Sequence, residues 1–255
     1  SAASDVYKRQ VVDGTSTEDV TKVYAALKAA IYNYRLSLAS PEEPLELTSN
    51  MLSPGFEDNS KGWVCNGFSP QSNDAFELKE GTYYCEIWSG WGNVADGDIH
   101  QIVELPNGNY QLTVLAQNIQ ESNKAIPQKG AYVYANIARK ELSLTGKYTL
   151  DFVVVDNQAK IGVNTIGCTG NKVSIDDFHI YYTGFDDDAQ FAEFRQMIQE
   201  GEALLESPQH ADSLAMLAKA VEEAKAVTKT EDIAAKANIL RKAITASQVS
   251  VGDYA

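Results

Sequence analysis

The residues best suited to chemistry in this chain are rings and amides rather than nucleophiles. Trp91 stands in the polar loop WGNVADGD, Tyr84 opens YCEIW, and Tyr132 and Tyr134 alternate in AYVYAN. Gln117 and Asn118 fall together in LAQNIQ, Asn136 closes AYVYAN, and Arg139 follows three residues later. An aromatic ring stacks on the apolar face of a pyranose, and amides both donate to and accept from its hydroxyls. The residue types therefore suit a sugar. Two readings stay open for the tyrosines: they line such a surface, or they cover a sheet's outer face beneath helices. For Trp91 the alternative is a ring folded back over the edge of the fold.

Catalytic chemistry has little to work with. The chain contains no G-x-S-x-G, P-loop, H-E-x-x-H or C-x-x-C pattern. Glycoside hydrolysis needs two carboxylates at a set separation in a cleft, and acids are too plentiful here for sequence to test that. The chain is read as a binder, not an enzyme. Cys65, Cys85 and Cys168 lack metal-ligand spacing. Either Cys65 and Cys85 pair across neighbouring strands or all three are buried thiols. Asp96-Gly97-Asp98 offers oxygens but falls far short of an EF-hand loop.

Composition narrows the partners. The 255 residues carry a net charge of −14, spread over the chain rather than gathered in a tail. Phosphate contacts need clustered Lys and Arg, so nucleic acid and anionic membranes are excluded as partners. No stretch approaches 18 consecutive apolar residues, so no membrane insertion is expected. The first ten residues, SAASDVYKRQ, lack the apolar run of a signal peptide. They resemble translated adaptor sequence at the ends of metagenomic fragments, and 1–16 are set aside as artefact or disorder.

Three regions must position these residues. In 17–44, Val20, Val23, Tyr24, Leu27, Ile31, Tyr34 and Leu38 form one helical stripe. Glu18 and Asp19 sit in its first turn, and Pro41 and Pro44 follow its end. This helix is expected to pack on the C-terminal helices, with a seat on the middle region as the alternative. In 45–184 the period changes to two, with strands expected at 62–67, 82–88, 98–105, 109–118, 131–136, 147–155, 159–165 and 173–183. Such a series reads as a β-sandwich. Tyr110, Leu112, Val114 and Ala116 would face its core, as would Phe178, Ile180, Tyr182 and Trp63. The opposite faces would carry Gln111, Thr113, Leu115 and Gln117, then Tyr132, Tyr134 and Asn136, then His179 and Tyr181. In 185–255 three Ala-rich amphipathic helices form a bundle, opened by caps at Asp186–Asp188, Ser207–Pro208 and Thr230.

The middle region resembles the jelly-roll, galactose-binding-like carbohydrate-binding modules of Bacteroidetes surface proteins. SPGFEDNSKGW (53–63) resembles their opening NPxFExxxxGW, and YYCEIW through DIHQIVELPNGNYQLTV their central stretch. AYVYAN and KVSIDDFHIYYTG resemble two later strands, and the helical tail is similar to spacers found after such domains. The resemblance implies the sandwich, which the helical stripes on either side place between an N-terminal helix and a C-terminal three-helix bundle, within a larger secreted or surface-displayed protein. It implies polysaccharide or oligosaccharide as the partner and places Trp88 in the sandwich seam. It also implies a structural calcium held by Glu57 and Asp176 with backbone carbonyls, carboxylates being the hard oxygens this ion takes. The alternatives are a pair of surface carboxylates, or Glu57 capping loop amides. For the whole chain the rival to sugar binding is a structural spacer or protein-docking module, which the flanking helices would serve.

Overall fold

The computed structural model describes residues 17–207 and 211–252. The chain runs α1 (Thr17–Leu38), β1 (Leu45–Glu46), β2 (Glu57–Ser60), β3 (Val64–Asn66), β4 (Ser69–Gln71), β5 (Tyr84–Trp88), β6 (Asp98–Glu104) and β7 (Gly108–Ile119). It continues with β8 (Ala131–Ala135), β9 (Ala138–Leu142), β10 (Gly146–Val154), β11 (Gln158–Asn164), β12 (Lys172–Gly184), α2 (Asp187–Leu205), α3 (Ala211–Lys225) and α4 (Thr230–Gly252). The eight expected strands are present within about two residues at each end. The strands that sequence did not reveal are short or polar, such as β4 (SPQ) and β9 (ARKEL).

Two antiparallel sheets face each other. One has the order β10-β7-β12-β5-β4, with β1 paired to β12; the other is β3-β6-β11-β8-β9. This is the expected jelly-roll sandwich, flanked by α1 and the C-terminal helices. Alternate residues of each strand meet between the sheets. Tyr110, Leu112, Val114 and Ala116 of β7 are buried there with Phe178, Ile180 and Tyr182 of β12 and Ile99, Val133, Ile161 and Val163 of the second sheet.

The family-like opening motif is a packing device. Phe56, Trp63 and Phe178 form a ring cluster, with Trp63 5.2 Å from Phe56 and 5.0 Å from Phe178. Trp63 Nε1 donates to Ser53 O at 3.0 Å. Gly62 has φ +82°, and a Cβ there would lie 2.6 Å from Leu52 Cβ, so only glycine fits before this Trp. Trp88 is not in the seam: it is 55% exposed on the outer side of β5. Its Nε1 donates to Glu121 at 2.7 Å, and Lys172 lies over its ring. Position in the alternation explains this, because Cys85 and Ile87 take the two inward sites of β5. All three cysteines are free; Cys65 is exposed, Cys85 and Cys168 buried.

The C-terminal helices bury Phe194, Met197, Leu217, Val221, Ile233, Ala237, Leu240 and Ile244 against one another. Asp186 caps α2 by accepting from Ala189 N at 2.7 Å. The cap expected at Ser207–Pro208 falls partly outside the described residues. The bundle docks on the turn between β10 and β11. Val155 joins its core, Gln190 donates to Val154 O at 3.1 Å, and Asn238 donates to Asp156 O at 3.2 Å. Asp156 is buried and pairs with the Arg241 guanidinium of α4. The C-terminal end of α1 rests on the sandwich through Tyr32 and Leu36.

Candidate functional site

The solvent face of the second sheet gathers the polar and aromatic side chains best placed to act together. Strand pairing sets them in two rows. Gly162 of β11 lies between His100 of β6 and Tyr134 of β8, and Tyr134 is paired to Arg139 of β9. One pleat further on, Asn164 lies between Asp98 and Tyr132, and Asp98 is paired to Asn66 of the edge strand β3. The inward residues Ile99, Val133, Ile161 and Val163 are wholly buried, and they fix which side chains point out.

Hydrogen bonds preset this face. His100 Nδ1 and Asp98 Oδ2 are 2.6 Å apart, and the Tyr134 hydroxyl donates to Asp98 Oδ1 at 2.8 Å. Burial, and then the adjacent Asp98 carboxylate, push the Tyr134 phenol well above its usual range, so it keeps its proton and donates at neutral pH. Asn164 Nδ2 reaches the same Asp98 oxygen at 3.5 Å. Gly162 is required beneath: a Cβ there would lie 2.2 Å from Ile99 O and 2.9 Å from Tyr134 Cζ. The Tyr132 and Tyr134 centroids are 6.2 Å apart. Arg139 lies over Tyr132 at 5.2 Å and Lys160 over Tyr134 at 5.7 Å. Tyr132 is half-buried and Tyr134 mostly covered. The result is a shallow platform with one accessible ring and converging donors and acceptors.

Of the residues proposed from sequence, Tyr132, Tyr134 and Arg139 meet here. Asn136, at φ +53°, staples the following turn by accepting from Lys160 N at 3.0 Å. Trp91 is 96% exposed at the tip of the 89–97 loop. That loop sits at the Asp98 end of the sheet, where Asp96 accepts from Gly167 N at 3.0 Å.

Tyr84, Gln117 and Asn118 are elsewhere and closed to solvent. Tyr84 is covered by Phe76, at 5.6 Å between centroids, and its single hydroxyl proton is shared between Asn73 Oδ1 at 2.8 Å and Glu86 Oε2 at 3.0 Å. Gln117 donates to Ser174 Oγ at 2.8 Å, and Asn118 to Leu142 O at 2.8 Å. Gln117 and Asn118 hold loop and strand backbone, and no face of the Tyr84 ring is open to a ligand. Sequence reading had joined Gln117 with the tyrosines because both seemed to face outward, but they lie on different sheets. It did not place Asp98 or His100 beside the tyrosines, having weighed Asp98 only as an oxygen donor for a cation, and it missed Lys160 and Asn164. The alternation of DIHQIVE and QAKIGVN carries that signal once β6 and β11 are known to be neighbours.

Glu57 and Asp176 lie apart from this face. Glu57 Oε1 accepts from Thr82 N and Tyr83 N, each at 2.8 Å. Asp176 accepts from Glu80 N and Asp177 N, also at 2.8 Å. Asp176 is wholly buried, and burial raises its pKa to about 7 against those amide bonds, with the charges of Asp177 and Glu57 adding to the rise. Among the described residues no group of three or more His, Cys, Asp or Glu is arranged to hold a metal ion. A cleft of about 530 Å³ separates β7 and β10 from α2, with Gln111, Asp151 and Glu193 on its walls. Among the described residues no helix is long and apolar enough to cross a membrane.

No family model matches the chain, and no curated protein matches it. Among solved structures it is similar to TmCBM61 in complex with beta-1,4-galactotriose, at 19% identity and a TM-score of 0.42, over 52% of this chain and 97% of that one. It is similar to the CBM22-1 xylan-binding domain of a Paenibacillus barcinonensis protein, at 12% identity and TM-score 0.39, over 53% and 95%. It is also similar to a cyclase from Fischerella sp. TAU, at 12% identity and TM-score 0.42, over 56% and 99%. Function has to be argued from the chemistry of the site.

Proposed function

We propose that this protein is a non-catalytic carbohydrate-binding module whose ligand lies across the outer face of the second sheet. The observation that carries this reading is the platform itself: Tyr132 and Tyr134, bracketed by Arg139 and Lys160, beside the Asp98–His100–Tyr134 network. Apart from the buried Tyr134, these side chains lie outside the buried core. In this reading Tyr132 stacks on a sugar ring, Asp98, His100 and Asn164 exchange hydrogen bonds with hydroxyls, and Arg139 holds the ring in place. Trp91 adds a second stacking surface at the end of the sheet. With one accessible ring on the platform and a hydrated surface to strip, affinity is modest. The module belongs to a larger, secreted or surface-displayed protein that it holds near polysaccharide.

Affinity electrophoresis against xylans, β-glucans, galactans, mannans, pectins and starch tests this. We expect retardation by at least one polymer, weakened about tenfold, or about 1.4 kcal/mol, by Tyr132→Ala at unchanged melting temperature. Trp91→Ala reports whether the loop shares the ligand. A folded protein retarded by none of the polymers overturns the proposal and favours the spacer or docking reading, which the firm joint between bundle and sandwich supports.

We also propose structural calcium at Glu57 and Asp176. A wholly buried carboxylate with no cationic side chain, beside a second carboxylate, fits a divalent cation, and both supply hard oxygens. Backbone carbonyls would complete its shell. EGTA is expected to lower the melting temperature by several degrees, and added calcium to restore it. An unchanged melting temperature would leave the two carboxylates as staples of the 80–83 loop.

A further inference from the structure

α1 leaves an apolar face in solvent. Val20, Tyr24, Leu27, Ile31, Tyr34 and Leu38 are each more than half exposed, and they recur at alternating spacings of four and three. That spacing makes a continuous seam of the kind one helix presents to others. The sandwich covers a different side of α1, through Tyr32 and Leu36.

The sequence of α4 shows what such a seam packs against. Residues 17–38, TEDVTKVYAALKAAIYNYRLSL, align without a gap on 230–251, TEDIAAKANILRKAITASQVSV. Both open with Thr-Glu-Asp. Val20 falls on Ile233, Leu27 on Leu240, Ala30 on Ala243 and Ile31 on Ile244. Burial in α4 follows the same register. Ile233, Ala237, Leu240, Ala243 and Ile244 are covered by α2 and α3, while their counterparts in α1 are exposed. The chain therefore holds two copies of one kind of helix, the second seated and the first bare.

We propose that α1 is the third helix of a second three-helix bundle, seated by an antiparallel helix pair of the α2–α3 kind that precedes it in a longer polypeptide. The order of parts is then the same on both sides: hairpin, then the Thr-Glu-Asp helix. The preceding hairpin differs from α2–α3 in one respect. Tyr24 stands where α4 has the wholly buried Ala237, so the residues facing it must be smaller to avoid overpacking.

The test grafts residues 186–229 directly ahead of Thr17 in the full chain, with Tyr24→Ala and Tyr34→Ser to match α4. Hydrogen exchange is read over residues 20–34 against an ungrafted chain carrying the same two substitutions. At least a hundredfold slower exchange is expected in the graft, returning to the ungrafted rate when Leu27→Asp is added. Equal exchange in grafted and ungrafted chains overturns the proposal. Sedimentation of the unaltered chain supplies an independent check. A monomer with fast-exchanging α1 amides is expected, whereas a dimer with protected α1 amides would make a second copy the occupant and overturn the proposal.

Discussion

Asp176 shows how one side chain ties the fold to solution conditions. Its pKa in the folded protein is raised from an ordinary 3.8 to about 7, mainly by burial. The folded state then holds more protons than the unfolded state between about pH 4 and pH 7, so stability falls as pH rises through that window. Glu193, raised from 4.5 to about 7 by burial, pulls in the same direction. In EGTA the protein should therefore melt at a higher temperature at pH 5 than at pH 7.5. Asp176→Asn should shrink that difference, leaving the share owed to Glu193; an undiminished difference would show that Asp176 is not its source. At this scale sequence was informative where a residue's type allows few environments. Trp63 after Gly62 had to be core, and the inward residues of β7 and β12 followed from alternation. It misled for Tyr84 and Gln117, because a polar or amphipathic side chain on an outward position looks the same whether a loop covers it or water does. Here Phe76 and its loop cover both.

Among elements, the joint between bundle and sandwich rests on Asp156. Its carboxylate is buried, held by Arg241, and its turn feeds Val155 into the helical core. Breaking a buried pair usually costs about 3–5 kcal/mol. Arg241 stays partly hydrated, so Asp156→Ala should cost about 2–3 kcal/mol. The loss is expected as separation of one melting transition into two, bundle first, in a calorimetric scan; a single unshifted transition would assign the joint to its apolar contacts alone. The long strands and the helices were legible because their hydrophobic periods repeat several times. β1 and β4, at two and three residues, carry no period to read. The platform was half legible for a related reason. The tyrosines are conspicuous in AYVYAN, but Asp98 and His100 come from a strand more than 30 residues earlier. Only the β6-β11-β8 order brings them together.

Taken whole, the molecule carries its helices at one pole and its platform toward the other. The bundle and the end of α1 meet the sandwich near Glu104 and Asn157, while the Asp98–Asn164–Tyr132 row lies at the far end of the same strands. The place where the chain comes into the sandwich also adjoins the place where it goes out: Leu45 of β1 is the strand partner of Tyr182 of β12, just ahead of α2. This has a mechanical consequence. Tension pulled from α1 to the C-terminal helices falls first on the short β1–β12 ladder and on the Asp156–Arg241 joint. The Asp98–Asn164–Tyr132 row lies at the far end of the strands, so a pull on the helices loads the entry and exit of the chain and the β10–β11 turn before it reaches Tyr132.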